Sequence, residues 1–526
     1  MEIFLSDLAN LFGQQIIVEQ ADVTAYNKNV SGYDGKIEVV LLPDKKEQIQ
    51  EIVKLANKYG IALYPISGGK NWGLGSRLPV KSDCIIVDLS KLRTISEVNE
   101  EFGYAIIEPG VTQIQLADYL KEKQSNYFLD VTGSGKETSV LGNCLERGTG
   151  YNALKADLLL NIEAVLGTGE VLKTGFWHYE NSKVTHIFKH GIGPDLTGTL
   201  VQSNFSIVTS IAIQLLPVPK VQTSFSVRVT DDNLLEFIEK LSELRQLKVV
   251  NSIVHIVNNQ RSKISLTPIV YDLMKADNPN LDSVVLRDKA NTVVGANLKK
   301  GWGAVGNLMG TPQQVKYAKK MIKSFLGPLG KVDFIDEKKL NRLEVVLRKL
   351  RLKKTWYFIM AYKRVYGMMK GAPQNESLRS IYWPNAEEDE NWENPDLGKT
   401  GLVFFAPVIP CSAVDVKKAL DIVNNIANRY QYNVALTLNT LSDKVLEVVI
   451  GVDFNLDLEK EKKKAHEFSE ELIKQYKAEG FYPYRLGIKD MPVMLDQNDP
   501  YWLVIKEMKK VFDPNNVISP GRYNLI

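Results

Sequence analysis

Four glycines in one short stretch, at 68, 69, 73 and 75 of YPISGGKNWGLGSRLP (residues 64–79), constrain the chain more than any other feature. Glycine lacks a Cβ, so such a loop can bring its backbone amides against phosphate oxygens without steric cost. Upstream, residues 45–59 place Ile49, Ile52, Val53, Leu55 and Ala56 on one helical face, and 61–66 alternates as a strand does, so the loop leaves a helix-strand unit. Its spacing is neither the dinucleotide fingerprint nor the phosphate loop with a Gly-Lys-Ser/Thr end, and a loop of this composition is also compatible with a plain turn. The following residues supply buried strands at 84–89 (CIIVDL) and 104–107 (YAII), then a turn, EPGVT, into a helix carrying Ile114, Leu116, Ala117 and Leu120. Two further glycine-bearing segments, SVLGNCLERGTGY at 139–151 and GIGPDLTG at 191–198, lie in the same half of the chain. Three such segments together imply one large ligand.

At 526 residues, 44% of them apolar and 24% charged, the chain has room for two domains with cores of their own. Sixty-five basic against 62 acidic side chains leave +3, which gives no reason to expect a nucleic-acid partner. Cys84, Cys144 and Cys411 are far apart and lack metal-ligand spacing, as expected of a chain in a reducing compartment. The first residues, MEIFLSDLANLFGQQ, carry Glu2 and Asp7 where a secretory leader wants positive charge, and no apolar run approaches the roughly 18 residues of a membrane span. A cytoplasmic protein without a membrane partner is the expectation.

In chain order, residues 1 to about 60 read as a small α+β lobe: a short amphipathic helix, a loop through 26–33, a strand stopping at Pro43 and the 45–59 helix. Strands, helices and hairpins alternate from 61 to 219 as a second lobe. Beyond Pro217-Val-Pro219 the pattern changes. A strand at 224–229, a helix at 233–247, a strand at 253–257 and a helix from 311 to 326, echoed at 402–408, 414–430 and 434–438, predict an antiparallel sheet backed by helices. The acidic tract 384–399 is expected to be an exposed loop. An amphipathic helix is expected to reach Tyr476, and a final one to end at Asp513-Pro514 before a turn at Pro520-Gly521.

PISGGKNWGLGS, the strand pair ending in EPGV, LDV at 129–131, SVLGNCLERGTGY, VLGTGEVLKTG at 165–175 and SNFSIVTSIAIQLLPVP at 203–219 occur in that order, followed by FFAPV at 404–408, PYR at 483–485 and DPNNVISPGR at 513–522. Together they closely resemble the vanillyl-alcohol oxidase and p-cresol methylhydroxylase family of FAD-linked oxidoreductases over nearly the whole chain. The resemblance implies an α+β fold with a two-lobed FAD-binding domain (1–219), an antiparallel-sheet cap that holds the substrate (220–485) and a C-terminal segment (486–526) returning to the FAD domain. By resemblance Pro65, Ile66, Ser67, Gly68, Gly69, Lys70, Asn71, Gly73 and Gly75 meet the FAD pyrophosphate. Pro109, Gly110 and Val111 approach its adenine or ribose side; Ser139, Leu141, Gly142, Asn143, Arg147, Gly148, Gly150 and Tyr151 form the second half. Ile207, Val208 and Arg522 complete the set. Position 206, usually glycine in the family, is Ser206 here. The run from Gly148 to Ala153 mimics a dinucleotide fingerprint, but no strand precedes it.

Two departures from the family matter. The histidines that tether flavin in relatives are absent from the 65–76 loop, where Lys70 stands, and from the strand LEVVIGVDF at 446–454. FAD held without a covalent link is therefore expected, with Tyr382 the candidate should a tyrosine tether exist. In the phenol-oxidising members a tyrosine pair and an arginine hold the substrate as phenolate, which eases hydride loss from the para carbon. Tyr484 and Arg485 match the tyrosine-arginine part as catalytic candidates, whereas the other tyrosine's place in the substrate pocket is Leu74. The family's acid near flavin N5 falls in LDVTGSGKETS (129–139), where Asp130 reads as a structural cap and Glu137 as a possible replacement. The expected activity is hydride transfer from a small aromatic alcohol, phenol or alkyl group to flavin, with oxygen or another electron acceptor completing turnover in a homodimer. A 2-hydroxy-acid dehydrogenase, in which Arg485 pairs with a carboxylate, and a flavin-binding protein with a non-redox templating role in biosynthesis stay open.

Overall fold

The computed structural model describes residues 1–298, 300–386 and 388–525. Helix Glu47–Tyr59 buries Ile49, Ile52, Val53 and Ala56 and ends on Gly60 in the left-handed conformation (φ 65°), which glycine adopts without strain. It covers a parallel sheet of β1 (Val40–Leu41), β2 (Leu63–Ile66) and β3 (Ile85–Asp88) in the order β1-β3-β2. All four residues of β3 are buried, which is why its sequence reads as an unbroken apolar run.

Next come β4 (Ile95–Asn99), β5 (Tyr104–Ile107), β6 (Tyr127–Phe128), β7 (Leu159–Leu166), β8 (Val171–Lys173), β9 (Ser206–Gln214) and β10 (Leu216–Pro217). Five of them pair antiparallel in the order β4-β5-β9-β7-β8, and β6 and β10 make a two-stranded ribbon. The two lobes share a core, since Val165 and Ile207 of the second sheet pack with Leu63 and Val87 of the first and with Ile49 of the helix that covers it. Val517 and Ile518 join that same core. The Leu63 amide donates to the Val517 carbonyl and the Ser519 amide to the Leu63 carbonyl, both at 2.7 Å, so the chain's end is sewn to β2.

The cap is a sheet of nine strands: β11 (Val221–Val229), β12 (His255–Asn258), β13 (Trp302–Gly310), β14 (Gly330–Ile335), β15 (Thr400–Phe405), β16 (Pro407–Pro410), β17 (Ala435–Thr440), β18 (Val445–Asn455) and β19 (Tyr482–Pro483). Their order is β14-β11-β13-β12-β17-β18-β16-β19, with β15 also on β18. One face carries Leu436, Leu438, Val448, Ile450 and Val452 into a core with Phe237, Ile322, Val423 and Phe468 from four covering helices. The other face, one residue out of phase, receives helix Asn259–Asp277.

That helix, with Ser283–Asn297 and Lys353–Met368, forms a helical subdomain around Tyr271, Leu286, Val294, Tyr357 and Ala361. Sequence periodicity did not reveal it, because Pro268 lies inside the first helix and reads as a breaker. Two expectations are corrected. Helix Gln20–Asn27 occupies the start of the segment expected as a loop. The acidic tract turns inward at Pro395–Leu397, where Asp396 is 3% exposed and accepts hydrogen bonds from the Val30 amide (2.9 Å) and Ser76 Oγ (2.6 Å). Among the described residues no helix is long and apolar enough to cross a membrane.

Candidate active site

Pro65 to Asn71 leave β2 and line a cleft with about 1090 Å³ of empty space, open to solvent. Ser139, Leu141, Gly142, Asn143, Ser206 and Val208 form its opposite wall, and Arg522 closes one end. Among the described residues the amides of Gly68, Gly69 and Lys70 donate no hydrogen bond within the chain. A Cβ at Gly68 would meet nothing within 4 Å, whereas Gly69 needs its positive φ of 64°. Gly73 and Gly75 do not line the cleft; they let the loop pack on Phe404 and Ile488. Pro109, Gly110 and Val111 brace the wall from behind, the Pro109 carbonyl accepting from Ser139 Oγ at 2.6 Å. Arg147, Gly148, Gly150, Tyr151 and the fully buried Ile207 also lie outside the lining.

Arg522 was legible in the sequence, but its partners were not. Its guanidinium pairs with Glu146 and donates to the Tyr64 hydroxyl at 2.5 Å, while the Tyr523 hydroxyl donates to Glu146 at 3.1 Å. Burial works against the Arg522 charge, yet the Glu146 carboxylate together with the Tyr64 and Tyr523 hydroxyls outweighs it and raises the pKa. Asp130 is structural: 1% exposed, it accepts from the Asn152 amide (3.1 Å) and side chain (2.8 Å) and from the Ala153 amide (3.1 Å), with Lys155 Nζ 3.6 Å away.

A second cavity of comparable size adjoins the first and shares Lys70, Asn71, Thr138, Asn143 and Arg485 with it. Arg485 donates to the Asn71 side-chain carbonyl, and its buried Nε has no partner, nor does the buried Oδ1 of Asn143. Leu74 lines this cavity as expected, but Tyr484 and Tyr382 are not among its lining residues. The Tyr484 side chain instead bonds toward Glu447, Thr149 and Arg485, and its burial raises its pKa. Glu447, 2% exposed, accepts from Thr149 Oγ1 (3.0 Å) and Asn439 Nδ2 (2.9 Å); burial raises its pKa too. Tyr382 is 4% exposed in the helical subdomain, where its hydroxyl accepts from Arg379 Nη1 at 3.3 Å.

The cavity floor is the inner face of the cap sheet. Leu402 and Phe404, Ala435 and Thr437, and Val449, Gly451 and Asp453 all line it, and Leu402 stands opposite Asp453 in register. Arg261 reaches it from the first turn of helix Asn259–Asp277. The sequence reading missed both charges. The available signal was the alternation along VVIGVDF: Val448, Ile450 and Val452 form one buried phase, which leaves Asp453 on the other face with Val449 and Gly451. Burial lifts the Asp453 carboxyl to about 8 despite the nearby Arg261 and pushes the Arg261 pKa down.

Residues 37–175 match the family model of the FAD binding domain. Along 502 residues the chain is 30% identical to the 1'-carboxy-chondrochloren decarboxylase of Chondromyces crocatus, covering 93% of this chain and 91% of that protein. It belongs to the vanillyl-alcohol oxidase and p-cresol methylhydroxylase family. The 4-cresol dehydrogenase [hydroxylating] flavoprotein subunit of Pseudomonas putida is 26% identical over 98% of this chain and 93% of its own. Two solved structures share the fold. The p-cresol methylhydroxylase structure with substrate bound gives a TM-score of 0.84 at 24% identity, covering 100% of this chain and 96% of that one. The 4-ethylphenol oxidase of Gulosibacter chungangensis, in its isoeugenol complex, gives 0.83 at 22% identity, covering 99% and 97%. As a member of this family the chain is an FAD-dependent enzyme. Its first cleft fits the cofactor, since the open space beyond Gly68 and the free amides of Gly68, Gly69 and Lys70 can receive a phosphate-bearing group.

Proposed function

We propose that this enzyme oxidises a phenolic substrate at the benzylic carbon of the substituent para to its hydroxyl, with residues 1–219 holding FAD, 220–485 forming the substrate cap and 486–526 closing the FAD domain. One observation carries the reading: Arg485 lines both cavities and is hydrogen-bonded to Asn71 of the glycine loop. Bound FAD supplies the acceptor for a hydride. The loop from Pro65 to Asn71 and the wall from Ser139 to Asn143 would hold it without a covalent link. Arg485 is placed to stabilise the negative charge of the substrate as phenolate, and Tyr484, anchored by Glu447 and Thr149, positions the guanidinium. Oxygen or another acceptor completes turnover. A cytoplasmic homodimer without nucleic-acid or membrane partners completes the reading.

Leu74 and Arg261 favour a particular outcome. Where relatives hold a second phenol-binding tyrosine this cavity is apolar, and at Arg261 it offers a cation. The Chondromyces crocatus relative is named a decarboxylase. In a phenol bearing a carboxylate two carbons from the ring, hydride loss from the benzylic carbon and proton loss from the hydroxyl leave a quinone methide. The electron pair of the C–CO₂ bond then restores the phenolate as carbon dioxide departs, and no water is consumed.

Anaerobic mixing of the holoenzyme with para-alkylphenols tests the phenol reading. Bleaching of the flavin absorbance is expected; bleaching by 2-hydroxy acids alone would replace it with the dehydrogenase reading, and no bleaching by any donor with the templating role.

A further inference from the structure

The substrate cavity is charged at both ends. On β18 the residues Glu447, Val449, Gly451 and Asp453 share one face. Glu447 lies beside Tyr484 and Arg485, and Asp453 beside Arg261. Between them Val449, Gly451, Leu402 and Phe404 of the sheet and Ile264 and Ile381 supply an apolar stretch of the lining, with Thr437 beside it and Lys70 entering from the glycine loop.

The guanidinium at the far end is under-satisfied. Among the described residues it finds one hydrogen-bond partner, Ser380 Oγ at 3.3 Å, and no carboxylate comes within the 4 Å of an ion pair. Asp453 does not neutralise it, because burial favours the uncharged form of that carboxyl. A half-buried guanidinium whose remaining donors open into the cavity is a ready partner for an anion that enters it. Arg261 also sits in the first turn of a 19-residue helix, whose amide dipoles favour an anion at the same place.

We propose that Arg261 is the counter-ion of a carboxylate on the substrate, so that the cavity selects phenols carrying an acid at the end away from the ring hydroxyl. A planar carboxylate accepts two parallel hydrogen bonds from a guanidinium, and the pair is stronger for being out of water. The inference rests on the phenol reading for the Arg485 end only.

The oxidised holoenzyme is titrated with 3-(4-hydroxyphenyl)propanoate and with 4-propylphenol, and binding is read from the flavin difference spectrum. The acid is expected to bind the wild type on the order of 10-fold tighter than the neutral phenol, equivalent to about 1.4 kcal/mol. In Arg261→Gln that ratio is expected to fall to about one, and in Arg261→Lys to recover in part. A ratio that survives in Arg261→Gln, or a wild type indifferent to the acid, overturns the proposal. Should Arg261→Gln fail to fold, the wild-type ratio and Arg261→Lys decide the matter. Turnover of 4-propylphenol without an Arg261-dependent preference sinks this inference and spares the phenol reading. Arg261-dependent binding of the acid with no oxidation of either compound does the reverse.

Discussion

The Arg485 guanidinium donates a hydrogen bond to the side-chain carbonyl of Asn71, fastening the segment after the last cap strand to the glycine loop of the FAD domain. The same side chain faces both cavities, so the cation proposed to meet the substrate is positioned by the loop proposed to hold the flavin.

Replacing it is therefore expected to damage chemistry more than folding. Arg485→Ala should lower the rate of substrate-driven flavin bleaching by about 10²–10³, the range seen when one donor to a developing oxyanion is removed. Stopped-flow measurement with the flavin content verified checks this, and a wild-type rate would remove Arg485 from its assigned role.

The two adjacent loop glycines should fail differently. Gly68→Val points into open cleft space, so the apo protein should melt normally while FAD no longer binds. Gly69→Val has a φ of 64° and the Arg77 side chain against it, so it should lose about 1–3 kcal/mol of stability with or without cofactor. Thermal melts of apo and FAD-loaded protein separate the two; equal loss of apo stability in both would contradict the described loop.

Glu146→Gln strips Arg522 of its carboxylate in a site where both side chains are 16% exposed. A cost of about 3 kcal/mol is expected, since the guanidinium stays desolvated. Urea unfolding measures it, and removing Arg522 as well should recover part of the loss.

Asp453 predicts a pH signature. Its carboxyl sits near 8 in the folded chain against 3.8 for the ordinary group. Between those values the folded protein holds the extra proton, so this stabilising contribution is present below about pH 4 and is lost as pH climbs to 8. The unfolding free energy of the wild type minus that of Asp453→Asn should fall across that window, at up to about 1.4 kcal/mol per pH unit, and stay level above it. A difference that does not change with pH would mean that Asp453 titrates as an ordinary carboxylate.

Tyr382 offers its hydroxyl to Arg379 in the helical subdomain, which places it poorly for a flavin tether. Acid precipitation should leave the yellow colour in the supernatant for the wild type and for Tyr382→Phe alike. Colour retained in the wild-type pellet and released in the variant would reverse this.

Local sequence determined a good deal. The glycine loop, the buried run of β3 and the antiparallel cap were legible, because glycine conformation, apolar periodicity and turn chemistry act over a few neighbouring residues. The returning C-terminal segment and the choice of Arg485, Leu74 and Arg522 came from the resemblance to the family, not from local pattern. Periodicity failed at Pro268 and in the acidic tract, where Asp396 is buried by partners more than 300 residues away in sequence. Only the tertiary structure decided that Glu146 meets Arg522, that Tyr484 turns toward Glu447 rather than into the cavity, and that Arg261 and Asp453 face the same space. Those pairings join residues of separate elements, whose approach is set by how sheets and helices pack, and no local pattern encodes the distance between two surfaces brought together by a shared core.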